Sequence, residues 1–440
     1  MRPRPANPDR LGAVVRGGGL TRRRASTLAL SALAATAFAT SPSPSPAPPL
    51  ETPPPTPVIQ PGGGVSPSPF PSSLRTPAPS AEAPEIRAAA AVLVDLDTGQ
   101  LLYDHNGNER RSIASLTKIM TALLVLERTA PEDLVTVSEE VASGRVAGIS
   151  GLGLVAGERI RVRELIYALL LQSANDAALA LAEDVGGTVD AFVELMNARA
   201  RALGLSRTRF ASPNGLDDDG FSSARDVVRL TRTAFRTPGF PDVVTTRFHT
   251  IHSMDAEPRT VQNRNVLLWL YPGAIGVKTG YTSEAGFCVV AAAERDGRRL
   301  LAVVLGEPGE PFSDAAALLN FGFAGFERRA VIELGEPLGS VDLAGRAVSV
   351  MAGGSLESLV RVDGSAIRTI ELDAHVPYPP PVGAAIGTVR VHVGETTLGR
   401  VPLLVEGLPP PPPPESGSWW GRAFAAVVDA GAAVVRGLIG

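Results

Sequence analysis

A serine and a lysine three residues apart, Ser115 and Lys118, are the residues of this sequence best suited to covalent chemistry. Leu116, Ile119 and Met120 recur around them at helical spacing, so we expect a helix whose first turn carries both polar side chains on one face. A serine hydroxyl becomes nucleophilic when a neighbouring base takes its proton, and a buried lysine with a lowered pKa can be that base. The pair predicts nucleophilic catalysis, although a lone Ser-x-x-Lys also occurs at ordinary helix starts.

Two further polar groups stand beside apolar runs. Ser173 and Asn175 follow Leu169-Leu170-Leu171, where one helical pattern ends and another begins at Asp176, so both are predicted on a short connection. Their alternative role is helix capping, which Ser and Asn favour.

Lys278-Thr279-Gly280 precedes two apolar runs separated by a turn, which predicts a hairpin at a sheet edge. There the lysine and threonine can face a cleft, while glycine lets the backbone approach a ligand.

Composition narrows the possible classes of chemistry. The chain has 440 residues, 44% of them hydrophobic, and a formal net charge of -4, so it can form two globular domains and nothing indicates nucleic-acid binding. Its single cysteine, Cys288, excludes an internal disulfide, and no Cys/His spacing indicates zinc. The five histidines lie outside any nucleophile motif, which disfavours a Ser-His-Asp triad. A serine enzyme with a lysine base fits better.

The N-terminal region has the pattern of a targeting segment and a linker. Residues 1–40 are predicted to be a signal peptide, because a basic stretch ending in Arg24 precedes an apolar run and a small-x-small site at Ala37-Phe38-Ala39. The chain is therefore expected to be exported and to act at the outer face of the cytoplasmic membrane. An uncleaved anchor is the alternative. Residues 41–84 are rich in proline and serine, which predicts a disordered linker.

The remaining chain divides into four predicted segments. They are a catalytic domain over 85–327, a small β domain over 328–406, a proline-rich spacer over 407–418 and an amphipathic helix over 419–439. The β domain is predicted from short segments that alternate apolar and polar residues between Gly, Pro and Asp turns. In the last segment Arg422, Asp429 and Arg436 fall on one stripe, so we expect that helix to lie on the membrane surface. Docking on a protein partner is the alternative.

The three motifs also carry a family resemblance. Ser-x-x-Lys, Ser-x-Asn and Lys-Thr-Gly, in this order, form the set known from penicillin-binding proteins and class A β-lactamases. Their surroundings resemble the low-molecular-mass D-alanyl-D-alanine carboxypeptidases; they read Ala-Ser-Leu-Thr-Lys-Ile-Met-Thr-Ala, Leu-Leu-Gln-Ser-Ala-Asn-Asp-Ala-Ala and Gly-Val-Lys-Thr-Gly-Tyr-Thr-Ser-Glu-Ala-Gly-Phe. The resemblance implies an α+β fold, with a β-lactamase/DD-peptidase-like catalytic domain of antiparallel sheet and helices. A small all-β domain and the terminal helix follow it.

The resemblance implies three catalytic residues. Ser115 would attack the carbonyl of the penultimate D-alanine in a peptidoglycan stem peptide, Lys118 would take its proton, and Ser173 would relay a proton to the leaving D-alanine. Water would then hydrolyse the acyl-enzyme. β-Lactam antibiotics would inhibit by acylating Ser115. The reaction would need no cofactor and no metal.

Five residues are implied in substrate binding. Asn175 would hold the substrate amide, and Lys278 with Thr279 would receive the terminal carboxylate. Lys278 would also help keep the catalytic lysine deprotonated. The backbone N–H of Tyr281, which follows Gly280, would form the oxyanion hole together with the N–H of the nucleophile.

One departure from the family pattern leaves alternative functions open. Many relatives carry a carboxylate-binding arginine shortly before a Leu-Leu-x-x-Gly-Phe helix, whereas Glu307 to Phe312 contains none. The substrate terminus can therefore differ, as in an endopeptidase that cuts peptidoglycan cross-links. An inactive peptidoglycan-binding or sensory homologue is disfavoured, because the motif residues are intact. A β-lactamase is disfavoured, because the Glu-x-x-Leu-Asn segment with its deacylating glutamate is missing.

Overall fold

The computed structural model describes residues 80–143, 150–217, 219–364, 366–393 and 396–407. Within these ranges the chain forms two compact units, one over 80–328 and 359–364 and the other over 329–358 and 366–407. The predicted signal peptide, nearly all of the linker and spacer, and the predicted helix over 419–439 lie outside the described residues. In the part that is described, no helix has the length and apolar character needed to cross a membrane.

Nine α-helices form within the described ranges, together with a 3-10 turn at Ala114–Thr117 and a π-helical turn at Ala168–Gln172. The α-helices are α1 (Lys118–Arg128), α2 (Glu139–Ala142), α3 (Val162–Tyr167), α4 (Asn175–Gly186), α5 (Val189–Ala202), α6 (Ala224–Phe235), α7 (Phe240–Thr245), α8 (Leu267–Leu270) and α9 (Pro311–Gly325). Side-chain caps begin several of them; for example, the Ser223 hydroxyl accepts a hydrogen bond from the Asp226 N–H at the start of α6.

The first unit is built on a five-stranded antiparallel sheet with the order β2-β1-β9-β8-β7. Its strands are β1 (Ala90–Asp95), β2 (Leu101–His105), β7 (Ala274–Thr282), β8 (Gly286–Arg295) and β9 (Arg298–Glu307). Two short ribbons accompany the sheet, β3 (Leu134–Thr136) with β4 (Arg159–Arg161) and β5 (Phe248–Ile251) with β6 (Arg259–Gln262). Because β7 is an edge strand, one side of its backbone has no strand partner in this sheet.

Helices cover both faces of this sheet. Alternate residues of β8 and β9 point to opposite faces, as the period of a strand requires. Val290 and Val303 belong to the core that contains α1, whereas Val289 and Val304 belong to the core that contains α9. These side chains are almost completely inaccessible to solvent, so each contributes roughly 1.5–3 kcal/mol of hydrophobic stabilisation. The predicted α+β architecture of the catalytic region is confirmed.

The second unit contains a five-stranded antiparallel sheet with the order β11-β12-β16-β15-β14. Its strands are β11 (Pro337–Leu343), β12 (Arg346–Ala352), β14 (Ile367–Leu372), β15 (Ala385–Val393) and β16 (Thr396–Gly407). Strands β10 (Phe326–Ile332) and β13 (Leu356–Arg361) pair with each other. In β12 the buried residues Val348, Val350 and Ala352 alternate with more accessible ones, as predicted for a sheet with one covered face. The prediction of an all-β region here is confirmed.

Candidate active site

The predicted nucleophile lies at a tight entry into α1. Ser115 lies in the 3-10 turn Ala114–Thr117, and Lys118 is the first residue of the α-helix. Ala114 has a φ of 46°, a left-handed conformation that costs a residue with a Cβ of order 1 kcal/mol or more. The turn places the Ser115 hydroxyl 2.9 Å from the Lys118 amine, so the predicted pairing is present in the structure.

The Lys118 amine makes three hydrogen-bond contacts, and their chemistry defines its role. It lies 2.9 Å from Ser115 Oγ, 2.8 Å from Asn175 Oδ1 and 2.7 Å from the carbonyl oxygen of Asn214. The last two atoms can only accept hydrogen bonds. A neutral amine has two N–H groups and one lone pair; donating both protons to these oxygens leaves the lone pair for the Ser115 hydroxyl. This is the arrangement of a base waiting for a proton.

The electrostatic surroundings favour the neutral form of Lys118. Its pKa is lowered well below 10.5, first by complete burial and second by the positive charge of Arg264, while the Asp176 carboxylate acts in the opposite direction. Burial also lowers the pKa of Lys278, and Lys118 and Arg264 lower it further. Burial and Arg264 are thus the main causes that keep the base deprotonated.

Asn214 is a functional residue that the sequence analysis missed. Asn214 lies in the loop Ser212-Pro213-Asn214-Gly215, and its backbone carbonyl oxygen accepts a hydrogen bond from the Lys118 amine. The loop is fixed to α1, because the Thr121 hydroxyl donates to the Pro213 carbonyl at 2.6 Å. Gly215 has a φ of 77°, and a Cβ on it would lie 2.0 Å from the Ala114 carbonyl oxygen. Only glycine fits this close approach, which was the available sequence signal.

The Ser-x-Asn motif occupies the predicted connection between two helical segments. The π-helical turn ends at Ser173, which has a left-handed φ of 63°, and Asn175 is already the first residue of α4. The helix therefore begins one residue earlier than predicted. Ser173 is 5% exposed, and its hydroxyl forms no hydrogen bond with any described residue.

Asp176 holds this motif against a neighbouring segment. Its buried carboxylate accepts hydrogen bonds from the backbone N–H groups of Leu152, Gly153 and Leu154, at distances between 2.8 and 3.2 Å. The Asn175 N–H donates to the Ser150 carbonyl at 2.9 Å. Hydrogen bonds to a charged acceptor contribute about 1.5–3 kcal/mol each. The sequence pattern predicts Asp176 only as the first residue of a helix.

The Lys-Thr-Gly motif lies on edge strand β7 and reaches the nucleophile through its glycine. A Cβ on Gly280 would lie 2.9 Å from the backbone nitrogen of Ser115 and 3.2 Å from the Ile113 carbonyl oxygen. A side chain at this position would therefore push the strand away from the nucleophile turn. Thr279 is buried, whereas Tyr281 is 50% exposed and its ring lies 4.5 Å from that of Phe287. The Lys278 amine donates to the Thr279 carbonyl at 2.8 Å.

Arg264 adds a cation that none of the three sequence motifs indicates. Its backbone N–H donates to the Leu171 carbonyl, two residues before Ser173. Its partly buried side chain makes no hydrogen bond or ion pair with the described residues. Burial lowers its own pKa, although arginine stays charged in proteins. A guanidinium that lies beside two buried lysines and has no partner among the described residues suits the binding of an anion.

The eight predicted site residues thus fall in one region of the first unit. Contacts among Ser115, Lys118 and Asn175 join two motifs, and the approach of Gly280 to Ser115 joins the third. No group of three His, Cys, Asp or Glu side chains able to bind a metal is found in the described ranges.

Comparison with known proteins agrees with this geometry. The family model described as D-alanyl-D-alanine carboxypeptidase matches residues 78–309, more than half of the chain. The chain belongs to this peptidase family. Among curated members of the carboxypeptidase family, DacF of Bacillus subtilis is 36% identical over 262 residues, which cover 58% of this chain and 67% of DacF. DacD of Escherichia coli is 37% identical over 273 residues, which cover 59% of this chain and 69% of DacD.

Solved structures in the carboxypeptidase family share the fold over a longer part of the chain. The D-alanyl-D-alanine carboxypeptidase DacD from Francisella tularensis matches with a TM-score of 0.64 and 27% identity, over 76% of this chain and 95% of its own. Penicillin binding protein 5 from Haemophilus influenzae matches with a TM-score of 0.62 and 30% identity, over 74% of this chain and 98% of its own.

The positive charge of Arg264 should affect how the rate of acylation depends on pH. If neutral Lys118 is the base, acylation should speed up as pH rises through its lowered pKa and level off well below pH 10.5. Arg264→Gln removes a charge that lowers this pKa, so the pKa should rise and the profile should move to higher pH. The measurement is the second-order rate constant of acylation by benzylpenicillin between pH 5 and 10.

Arg161→Gln is the matched control, because Arg161 pairs with Glu132 at 3.0 Å and does not contribute to the shift at Lys118. Its profile should coincide with that of the unmodified protein. An unchanged midpoint in Arg264→Gln would show that Arg264 does not act on the base.

Proposed function

We propose that this chain is a serine-type D-alanyl-D-alanine carboxypeptidase that removes the terminal D-alanine from peptidoglycan stem peptides through an acyl-enzyme on Ser115. Membership of the carboxypeptidase family supports the reaction class. The observation that carries the proposal is the buried Lys118 amine, whose two obligate acceptors direct its lone pair to the Ser115 hydroxyl.

In this proposal acylation begins with proton transfer from Ser115 Oγ to Lys118 Nζ. The serine oxygen attacks the carbonyl carbon of the penultimate D-alanine, and the negative charge moves onto the carbonyl oxygen. The N–H groups of Ser115 and Tyr281 stabilise that oxygen; the close approach of Gly280 to Ser115 supports this pairing. One such donor contributes about 3 kcal/mol to lowering the barrier.

The leaving group needs a proton before the carbon–nitrogen bond breaks. We propose that Ser173 relays it from the protonated Lys118 amine to the D-alanine nitrogen, and that Asn175 holds the substrate amide. A buried Ser173 hydroxyl without a partner among the described residues supports the relay. Deacylation repeats these steps with water as the nucleophile. β-Lactams inhibit the enzyme because they acylate Ser115 and the resulting ester is hydrolysed slowly.

The terminal carboxylate is proposed to bind Thr279, Lys278 and Arg264. Lys278 is buried and its pKa is lowered in the free protein, so an arriving anion would favour its charged form. Arg264 offers a guanidinium without a protein partner in the described ranges. This set supplies the positive charge that Glu307 to Phe312 lacks.

Amidation of the substrate terminus tests this subsite. Replacing the terminal carboxylate by an amide should lower kcat/KM about 10- to 100-fold, because hydrogen bonds to a charged group contribute about 1.5–3 kcal/mol. Thr279→Val should reduce the discrimination, since it removes one donor from the subsite. D-Alanine and D-alanine amide release from matched pentapeptides would be measured.

Equal turnover of the acid and the amide would favour the second candidate, an endopeptidase of cross-linked peptides. The observation that favours it is the lack of an arginine in Glu307 to Phe312, a stretch that instead presents the exposed carboxylate of Glu310. Cleavage of a purified cross-linked dimer would then exceed D-alanine release.

We further propose export through residues 1–40, a linker over 41–84, domains over 85–327 and 328–406, and a spacer over 407–418. The helix proposed over 419–439 would lie on the outer surface of the cytoplasmic membrane. Deletion of residues 415–440 should then release active enzyme into the soluble fraction. Continued sedimentation of the truncated protein with membranes would instead assign the attachment to the N-terminal segment.

A further inference from the structure

A cleft of about 570 Å³ is lined mainly by the segment that leads into the nucleophile turn. Its polar lining consists of Asp104, Asn106, Asn108, Glu109, Arg110 and Arg207. None of these residues belongs to the site around Ser115, and the reaction proposed above uses none of them. The cleft is wide and polar, with two acidic and two basic side chains.

The acidic side chains of the cleft are neutralised by residues outside its lining. Asp104 forms an ion pair with Arg225, and Glu109 forms one with Arg111 at 2.7 Å. Each carboxylate therefore has a guanidinium of its own. Neither is left to balance the two arginines of the lining.

The basic side chains of the cleft have no such partners among the residues that the structure describes. Arg207 uses its backbone N–H to donate to Asp226, but its exposed side chain makes no hydrogen bond or ion pair with the described residues. The Arg110 guanidinium lies 4.8 Å from the centre of the Phe221 ring and likewise has no carboxylate partner in the described ranges. Stacking on an aromatic ring restricts its orientation without neutralising its charge.

The local charge is therefore opposite to that of the whole chain. Two carboxylates face four guanidinium groups, from Arg110, Arg111, Arg207 and Arg225, which gives a local charge of +2 in a chain of formal net charge -4. Planar guanidinium groups match the oxygens of carboxylates and phosphates in geometry as well as in charge.

We propose that this cleft is a second, non-catalytic binding site for an oxyanion, a carboxylate or a phosphate. Arg110 and Arg207 bind the oxyanion, and the Asn108 amide contributes a further donor. Arg110 lies five residues before Ser115, and the backbone of Arg111 is bridged to Ser222. An oxyanion bound by Arg110 is therefore bound to the segment that leads into the nucleophile turn. The proposal concerns binding alone and does not depend on turnover at Ser115.

The test compares the full chain with a double variant, Arg110→Gln with Arg207→Gln. The probes are poly-L-glutamate, which offers carboxylates, and long-chain polyphosphate, which offers phosphates. Dissociation constants would be measured at low ionic strength and again at 0.5 M salt, because screening weakens exposed charge pairs. The double variant should lose affinity about tenfold for the polymer that the unmodified protein binds, since exposed ion pairs are modest individually.

The matched control is Arg201→Gln with Arg400→Gln, which removes the same charge at exposed positions outside the cleft lining. It should bind as tightly as the unmodified protein, and all three proteins should keep the same Tm. A preference for poly-L-glutamate would assign a carboxylate-bearing source, and one for polyphosphate a phosphate-bearing source. Failure of the unmodified protein to bind either polymer, or equal losses in both double variants, would overturn the proposal.

Discussion

Ser115→Ala should abolish both D-alanine release and covalent labelling by penicillin while leaving the fold intact. The substitution removes the atom that forms the ester, so kcat should fall by about 10⁴-fold or more, as expected when a catalytic serine is lost. The stability cost should be small, about 1 kcal/mol, because only the 2.9 Å contact with Lys118 disappears. The measurement combines D-alanine release from a pentapeptide, labelling with a fluorescent penicillin, and thermal unfolding.

Ser112→Ala is the control for this experiment. Ser112 lies three residues before the nucleophile and its carbonyl oxygen, which the substitution retains, contacts the Cys288 thiol. The control should label and turn over normally. Persistent labelling of Ser115→Ala with normal stoichiometry would move the nucleophile to another residue.

Lys118 substitutions should produce the second large effect. Lys118→Gln keeps a polar side chain for Asn175 and Asn214 but cannot take a proton, so acylation by penicillin should slow about 10²- to 10⁴-fold. Lys118→Arg should not restore the rate, because an arginine stays protonated at any working pH. Rapid-mixing measurement of the acylation rate separates this effect from slow deacylation.

Thermal unfolding shows whether these Lys118 variants remain folded, since the side chain is completely buried and its replacement disturbs packing. If the Arg variant does not fold, the acylation rate of the Gln variant tests the role of Lys118. Near-normal acylation by a folded Arg variant would exclude Lys118 as the base and assign that step to Ser173 or a water.

The sequence predicted those parts of the site that lie within short motifs. The spacing of Ser115 and Lys118 places them on one turn whatever the rest of the chain does, and the glycine of Lys-Thr-Gly predicts a close backbone approach. Alternation in β12 and the apolar runs of β8 and β9 likewise reflect the period of a strand. Such local signals sufficed for the strand assignments and for the three motif positions, whereas the fold class followed from the family resemblance.

Local sequence signals do not predict contacts between segments that are distant in the chain. Lys118 and Asn214 are 96 residues apart, and the atom that Asn214 contributes is a backbone carbonyl that any residue could supply. The partners of Asp176 are backbone N–H groups of Leu152 to Leu154. Arg264 acts through charge across space and leaves no spacing pattern. Apart from Gly215 beside Asn214, the sequence carries no signal for the roles of these three residues, which follow from the folded structure.

Peptide mapping of the penicillin adduct tests the acyl-enzyme on Ser115 most directly. The full chain would be incubated with benzylpenicillin, digested and sequenced by tandem mass spectrometry, while D-alanine release from a pentapeptide is followed in parallel. We expect one intact penicillin per chain, attached to Ser115, and loss of D-alanine release in step with its formation. An adduct on any other residue, or D-alanine release that continues with Ser115 fully acylated, would contradict the proposed mechanism.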